Sequence, residues 1–183
     1  MRYAVLSDIH GNIEAFSAAL AAADAQGVDG VLCLGDLVGY GASPNEVVEA
    51  VRARAAVAVR GNHDQAALEP GHEAYFNPWG QAAIRWTRGR LDRENLEFLG
   101  TLPLSLGLPG LRLVHACASE PAMWRYVMDA EDAAVEFTAF DEPLCLFGHS
   151  HVPLSVESAG RTVRTLDRGE TALEAGRRYM VNV

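Results

Sequence analysis

At 183 residues with 49% hydrophobic side chains and a formal net charge of −9, the chain reads as one globular domain long enough to bury a sizeable core. The acidic balance argues against nucleic acid and membrane surfaces as partners, which select basic faces, but leaves phosphate esters open, because bound cations can invert a local field. Met1 to Asp8 lacks a signal peptide's apolar stretch, no later run is long enough to span a bilayer, and Cys33, Cys117 and Cys145 show no paired spacing; together these predict a reducing, cytoplasmic setting.

Along the chain, Tyr3 to Leu6, Val31 to Leu34 and Ala55 to Val59 are apolar runs without polar alternation, as in strands covered on both faces. Between the first two, Asn12 can cap a helix with Ile13, Phe16 and Leu20 at helical spacing and Gly27 as its stop. Before the third, Ser43-Pro44-Asn45-Glu46 reads as a capping box with proline at the first helical position, and Val47, Val48 and Val51 as the buried face. Strand, helix, strand, helix, strand predicts a parallel sheet with right-handed crossovers. Helices are expected over Pro78 to Arg88, with Trp79, Ile84 and Trp86 as apolar contacts, and over Asp92 to Leu99, with Leu96 and Leu99. A strand pair, Leu104 to Leu108 and Leu111 to His115, is joined by the turn signal Pro109-Gly110. A helix from about Ala130 to Phe140 precedes a strand at Leu144 to Phe147. From Leu154 on, Ser155-Val156-Glu157, Arg161-Thr162-Val163-Arg164 and Arg178-Tyr179-Met180-Val181 alternate like antiparallel strands with one wet face. No repeat, low-complexity segment or linker interrupts them.

Five of the six histidines fall in an ordered series: Asp8-Ile9-His10, Gly35-Asp36, Gly61-Asn62-His63-Asp64, Val114-His115 and Gly148-His149-Ser150-His151. Extended backbone sends alternate side chains to one side, so Asp8 with His10, and His149 with His151, can each chelate an ion. Asp36 has two oxygens and can bridge two cations. Asn62 and His63 point in different directions, so one can bind metal while the other faces substrate. Taken singly, each has a plain alternative: a loop aspartate, a turn aspartate before a helix, a structural histidine. All five, however, lie at the C-terminal ends of predicted strands, where open α/β sheets build their sites.

On these motifs the chain resembles the calcineurin-like metallophosphoesterase superfamily, whose signature D-x-H, G-D, G-N-H-D/E, lone H and G-H-x-H is intact from Arg2 to about Pro153. The capping-box helix and the Pro121 to Tyr126 stretch are similar to the small bacterial and archaeal phosphodiesterase branch. The resemblance implies a four-layer αββα sandwich of two mixed sheets flanked by helices, with the metal site at strand C-terminal ends. It also implies two divalent transition-metal ions, manganese first and iron, cobalt, nickel or zinc next. Asp8, His10, Asp36 and His151 would hold one ion; Asp36 as bridge, with Asn62, His115 and His149, the other. A hydroxide bridging the pair would attack the phosphorus, and His63, a non-ligand, would act as acid toward the leaving group.

The segment after Asp36 departs from the pattern. Protein phosphatases and dinucleoside tetraphosphate hydrolases of this superfamily carry a phosphate-gripping arginine there, and the phosphoprotein branch an aspartate that orients the catalytic histidine; here stand Gly39 and Tyr40. Arg60 is a candidate replacement phosphate contact, or else a surface arginine. Trp124 and Arg125, with Tyr126, are either a substrate lip or packing. His72 reads as surface, Cys117 as small packing and Asp64 as an orienting group. The chain ends at Val183 where relatives usually continue into further strands, so it either stops short or carries a smaller second sheet. The function expected is hydrolysis of small phosphodiesters. Phosphomonoesterase, protein phosphatase or nucleotide pyrophosphatase activity is the alternative, and a non-catalytic scaffold of the same fold is disfavoured by the intact ligands. Oligomeric state is left open.

Overall fold

The computed structural model describes residues 1–160 and 162–183; Arg161, expected in one of the C-terminal strands, lies outside them. Two compact units divide the chain, Met1–Pro103 and Leu104–Val183. The protein is a mixed α/β fold with two sheets flanked by helices.

In the first unit, β1 (Tyr3–Leu6), β2 (Gly30–Cys33) and β3 (Ala55–Ala58) form a parallel sheet in that order. The connections are α1 (Ile13–Ala25) and α2 (Pro44–Arg54), and a helical crossover returns the chain in the same direction. This sheet is therefore parallel rather than mixed among the described residues. Asn12 caps α1 by accepting from the Ala15 N–H. Phe16 and Leu20 are buried from α1, and Val47, Val48 and Val51 from α2, each fully buried aliphatic or aromatic side chain contributing roughly 1.5–3 kcal/mol. The expected capping box at Ser43 does not form: its side chain makes no cap bond. Its backbone N–H, which Glu46 would have to satisfy, donates instead to the Gly11 carbonyl. Cys33 lies wholly inside this core, and burial pushes its thiol up to about 12.

Three more helices complete the unit: α3 (Asn62–Leu68), α4 (Pro78–Arg88) and α5 (Arg93–Thr101), with a 3-10 turn at His72–Tyr75. On α4 the buried stripe is Gly80, Ile84 and Thr87. Trp79 and Trp86, expected to pack inward, lie on the other flank and are 82% and 42% exposed. Trp86 instead carries the Arg90 guanidinium over its ring.

The second unit holds a mixed sheet in the order β4 (Ser105–Leu108), β5 (Leu111–Val114), β6 (Leu144–Phe147), β9 (Arg178–Asn182), β7 (Leu154–Ala159), β8 (Thr162–Thr165). The strands from Leu154 on pair antiparallel with one another, β7 with β8 and with β9, as expected, and β9 also joins β6 in parallel. They do not, however, keep one wet face: Glu157 is buried on β7, where Arg164, opposite it in register, and Arg177 take up its charge. Helix α6 (Ala130–Glu136) is shorter than expected: the Thr138 and Ala139 N–H groups turn to the carbonyls three residues back, and the Arg178 guanidinium takes the Phe137 and Phe140 carbonyls at 2.7 and 2.6 Å.

Candidate metal centre

In the first unit the loops after β1 and β2 are laced together by backbone bonds. Asp8 N–H donates to the Gly35 carbonyl, His10 N–H to that of Asp36, and Gly11 N–H to that of Leu37. This places His10 beside both carboxylates, its Nε2 4.0 Å from Asp8 Oδ1 and 3.7 Å from Asp36 Oδ2. Its Nδ1 lies 3.1 Å from the Val38 carbonyl. That partner assigns the ring proton to Nδ1 and turns the Nε2 lone pair toward the two carboxylates, a donor set suited to a divalent cation. His10, Asp36 and His63 also bring ligand atoms within 4.8 Å of one another.

Asn62 and His63 open α3, immediately after Gly61. The His63 N–H donates to Asp36 Oδ1 at 2.8 Å, so the helix start grips the Asp36 carboxylate. Gly61 is required by proximity, since a Cβ there would fall 2.1 Å from Asp36 Oδ1. Asp64 is fully buried and accepts from the N–H groups of Leu37, Val38 and Gly61, joining the β2 and β3 loops.

In the second unit, His115 follows β5 and His149 and His151 follow β6. The Gly148 N–H donates to the His115 carbonyl, and the His115 and His149 rings lie 5.1 Å apart, edge to face. His149 Nε2 is 2.9 Å from the Trp124 carbonyl, an arrangement that puts the proton on Nε2 and the lone pair on Nδ1. Tyr126 stacks on the His149 ring at 4.3 Å. Asn182, buried at the end of β9, donates to the Gly148 carbonyl and Ser150 Oγ. It supports this loop, and its only trace in the sequence is an amide ending an apolar strand.

Backbone strain marks the same residues. Among the described residues, the non-glycine positions with left-handed φ are Asp8, His10, Asp36, Tyr40, Trp124, His149 and His151. Each such position costs about 1–3 kcal/mol and persists only where the surroundings over-determine it, which is characteristic of functional sites. All seven were singled out from the sequence as ligands or substrate contacts.

Two expected substrate contacts are otherwise engaged. Arg60 donates to Gln65 Oε1 and to the carbonyls of Gly100 and Leu102, tying β3 to the end of α5. Arg125 is held by Glu120 and Ser119. Tyr40 is half exposed, its ring against those of His10 and His63 at 4.9 and 4.7 Å.

The calcineurin-like phosphoesterase superfamily domain matches residues 1–180, and the chain belongs to that superfamily. An uncharacterized protein of Methanocaldococcus jannaschii is 38% identical over 184 residues, covering 98% of this chain and 73% of that protein. The crystal structure of a metallophosphoesterase from Sphaerobacter thermophilus is similar at 38% identity with a TM-score of 0.83, covering 100% of this chain and 75% of that one. A hypothetical protein from Pyrococcus horikoshii OT3, at 20% identity and a TM-score of 0.75 over 99% of this chain and 75% of its own, shares the fold. The protein is a phosphoester hydrolase of a metal-dependent family, and it carries groups of histidine and aspartate able to hold metal. No helix among the described residues is long and apolar enough to cross a membrane.

Proposed function

We propose that this enzyme hydrolyses small phosphodiesters with two divalent cations. The observation that carries the reading is the coincidence of left-handed backbone with the motif residues, because strain of that kind is kept for function. Asp8, His10, Asp36 and His151 would hold one ion, and Asn62, His115 and His149, together with Asp36, the other. When bound, the ions supply Lewis acidity toward the phosphoryl oxygens and the attacking water. The imidazole-rich donor set favours transition ions over magnesium or calcium, and the resemblance to the superfamily puts manganese first, with iron, cobalt, nickel or zinc next. His63 gives its proton to the leaving oxygen as the bond from that oxygen to phosphorus breaks.

Substrate charge follows from the arginines. A monoester dianion needs a further cation, and Arg60 and Arg125 are engaged by Gln65, main-chain carbonyls, Glu120 and Ser119. A diester carries one negative charge, and Tyr40 offers an esterified phosphoryl group a hydroxyl and an apolar face. The test compares kcat/KM for bis-nitrophenyl phosphate and nitrophenyl phosphate under one metal, at a pH where the monoester is doubly ionised. The diester should be faster by about tenfold or more, the worth of one charge-assisted hydrogen bond. A clear preference for the monoester would move the assignment to a phosphomonoesterase.

A further inference from the structure

His63 is enclosed by rings. Phe76 stacks on its imidazole at 4.4 Å and 27°, Tyr40 lies at 4.7 Å and 46°, and His10 meets it edge-on at 4.8 Å. On a remaining edge is Gly39, where a Cβ would fall 2.4 Å from His63 Nδ1. The ring therefore has little freedom to turn about its side-chain torsions. Its partner is itself firmly mounted. The Phe76 N–H donates to the Glu73 carbonyl, its own carbonyl accepts from Gln81 Nε2, and it directly precedes Asn77, which caps α4. Arg88 then pairs with Glu73 and donates to the Ala66 and Ala67 carbonyls of α3, the helix that bears His63. One cation thus fastens the segment bearing the stacking ring to the helix bearing the histidine.

We infer that Phe76, assisted by Tyr40, is the positioning residue that aims the His63 imidazole at the leaving oxygen. The inference rests on His63 being the proton donor. In this step the proton passes from a ring nitrogen to the ester oxygen while that oxygen's bond to phosphorus breaks, and the imidazole is left neutral. Proton transfer is efficient only within hydrogen-bond reach and alignment, and a displacement of about 1 Å can lower a rate by about 10²-fold. A flat face fixes the plane of the ring; an aliphatic side chain of similar bulk fills the space without setting that plane.

The test uses metal-loaded enzyme and two diesters, bis-nitrophenyl phosphate with a good leaving group and diphenyl phosphate with a poor one. His63→Ala should lose about 10²–10⁴-fold on the poor leaving group and much less on the good one. Phe76→Ala should lose about 10–100-fold in kcat on diphenyl phosphate with KM within about twofold, and at least tenfold less on the nitrophenyl ester. Phe76→Tyr should restore the rate and Phe76→Leu should not. In the zinc-loaded protein, the His63 ring protons should resonate upfield in wild type and Phe76→Tyr, under the ring current, and shift downfield in Phe76→Ala and Phe76→Leu. If His63→Ala is selective for the poor leaving group but Phe76→Leu matches wild type, or Phe76→Ala loses equally on both esters, the positioning role is overturned and the acid role stands. If His63→Ala itself loses equally on both, the acid role fails and this inference with it.

Discussion

Asp64 never has to touch substrate to matter. Its two oxygens take three backbone N–H groups, from Leu37, Val38 and Gly61, and those groups flank Asp36 and His63. Asp64→Asn would turn an NH2 donor toward at least one of these N–H groups, leaving buried donors unpaired at about 1–3 kcal/mol. Urea unfolding should show a loss of about 2 kcal/mol, by the same reckoning; a loss under about 0.5 kcal/mol would contradict the role. At this scale the ligand candidates were legible because their side-chain chemistry is unusual and their order is fixed. The hold on Arg60 was not legible, because its partners Gly100 and Leu102 are some forty residues away in sequence. Phe76 and Asn182 escaped notice because a lone aromatic or amide carries no local pattern; only the fold shows that one stacks on His63 and the other holds the Gly148 turn.

Among the elements, β1, β6 and α4 agreed with the apolar runs and helix signals from which they were expected. Signals that depend on one face being satisfied elsewhere did less well. The Ser43 box gave way to a long-range backbone bond from the Ser43 N–H to the Gly11 carbonyl, and the tryptophans of α4 lost the buried stripe to Gly80, Ile84 and Thr87. The helix α3, which begins at Asn62, was not anticipated because Gly61-Asn62-His63-Asp64 reads as a loop motif. The tie between α4 and the His72–Tyr75 turn, made by Arg88 and Glu73, can be tested by pH. The Arg88 guanidinium, followed by backbone N–H groups, holds the Glu73 carboxyl down to about 2 from its ordinary 4.5. A depressed carboxyl stabilises the folded state fully above about pH 4.5 and loses that effect as pH falls toward about 2. Wild type should exceed Glu73→Gln in urea midpoint at pH 6, and the gap should close between pH 4.5 and 2. A gap independent of pH across that window would show that the carboxylate's charge contributes nothing.

For the whole molecule, the parallel sheet of the first unit was readable from alternating strand and helix, whereas the order of the second sheet was not. There β9 inserts between β6 and β7, a pairing of distant segments that no local pattern announces. Function was more legible than topology, because the superfamily signature lies in short motifs at strand ends that can be read without knowing how the strands pair. In the proposed reading these motifs hold a pair of transition-metal ions on which hydrolysis depends. The most direct measurement is to strip the protein with a chelator, titrate manganese back, and follow bound metal per chain together with bis-nitrophenyl phosphate turnover. Turnover should be lost on stripping and return in step with filling to two ions per chain. Fewer than two bound transition ions, with full activity under magnesium alone, would contradict that reading.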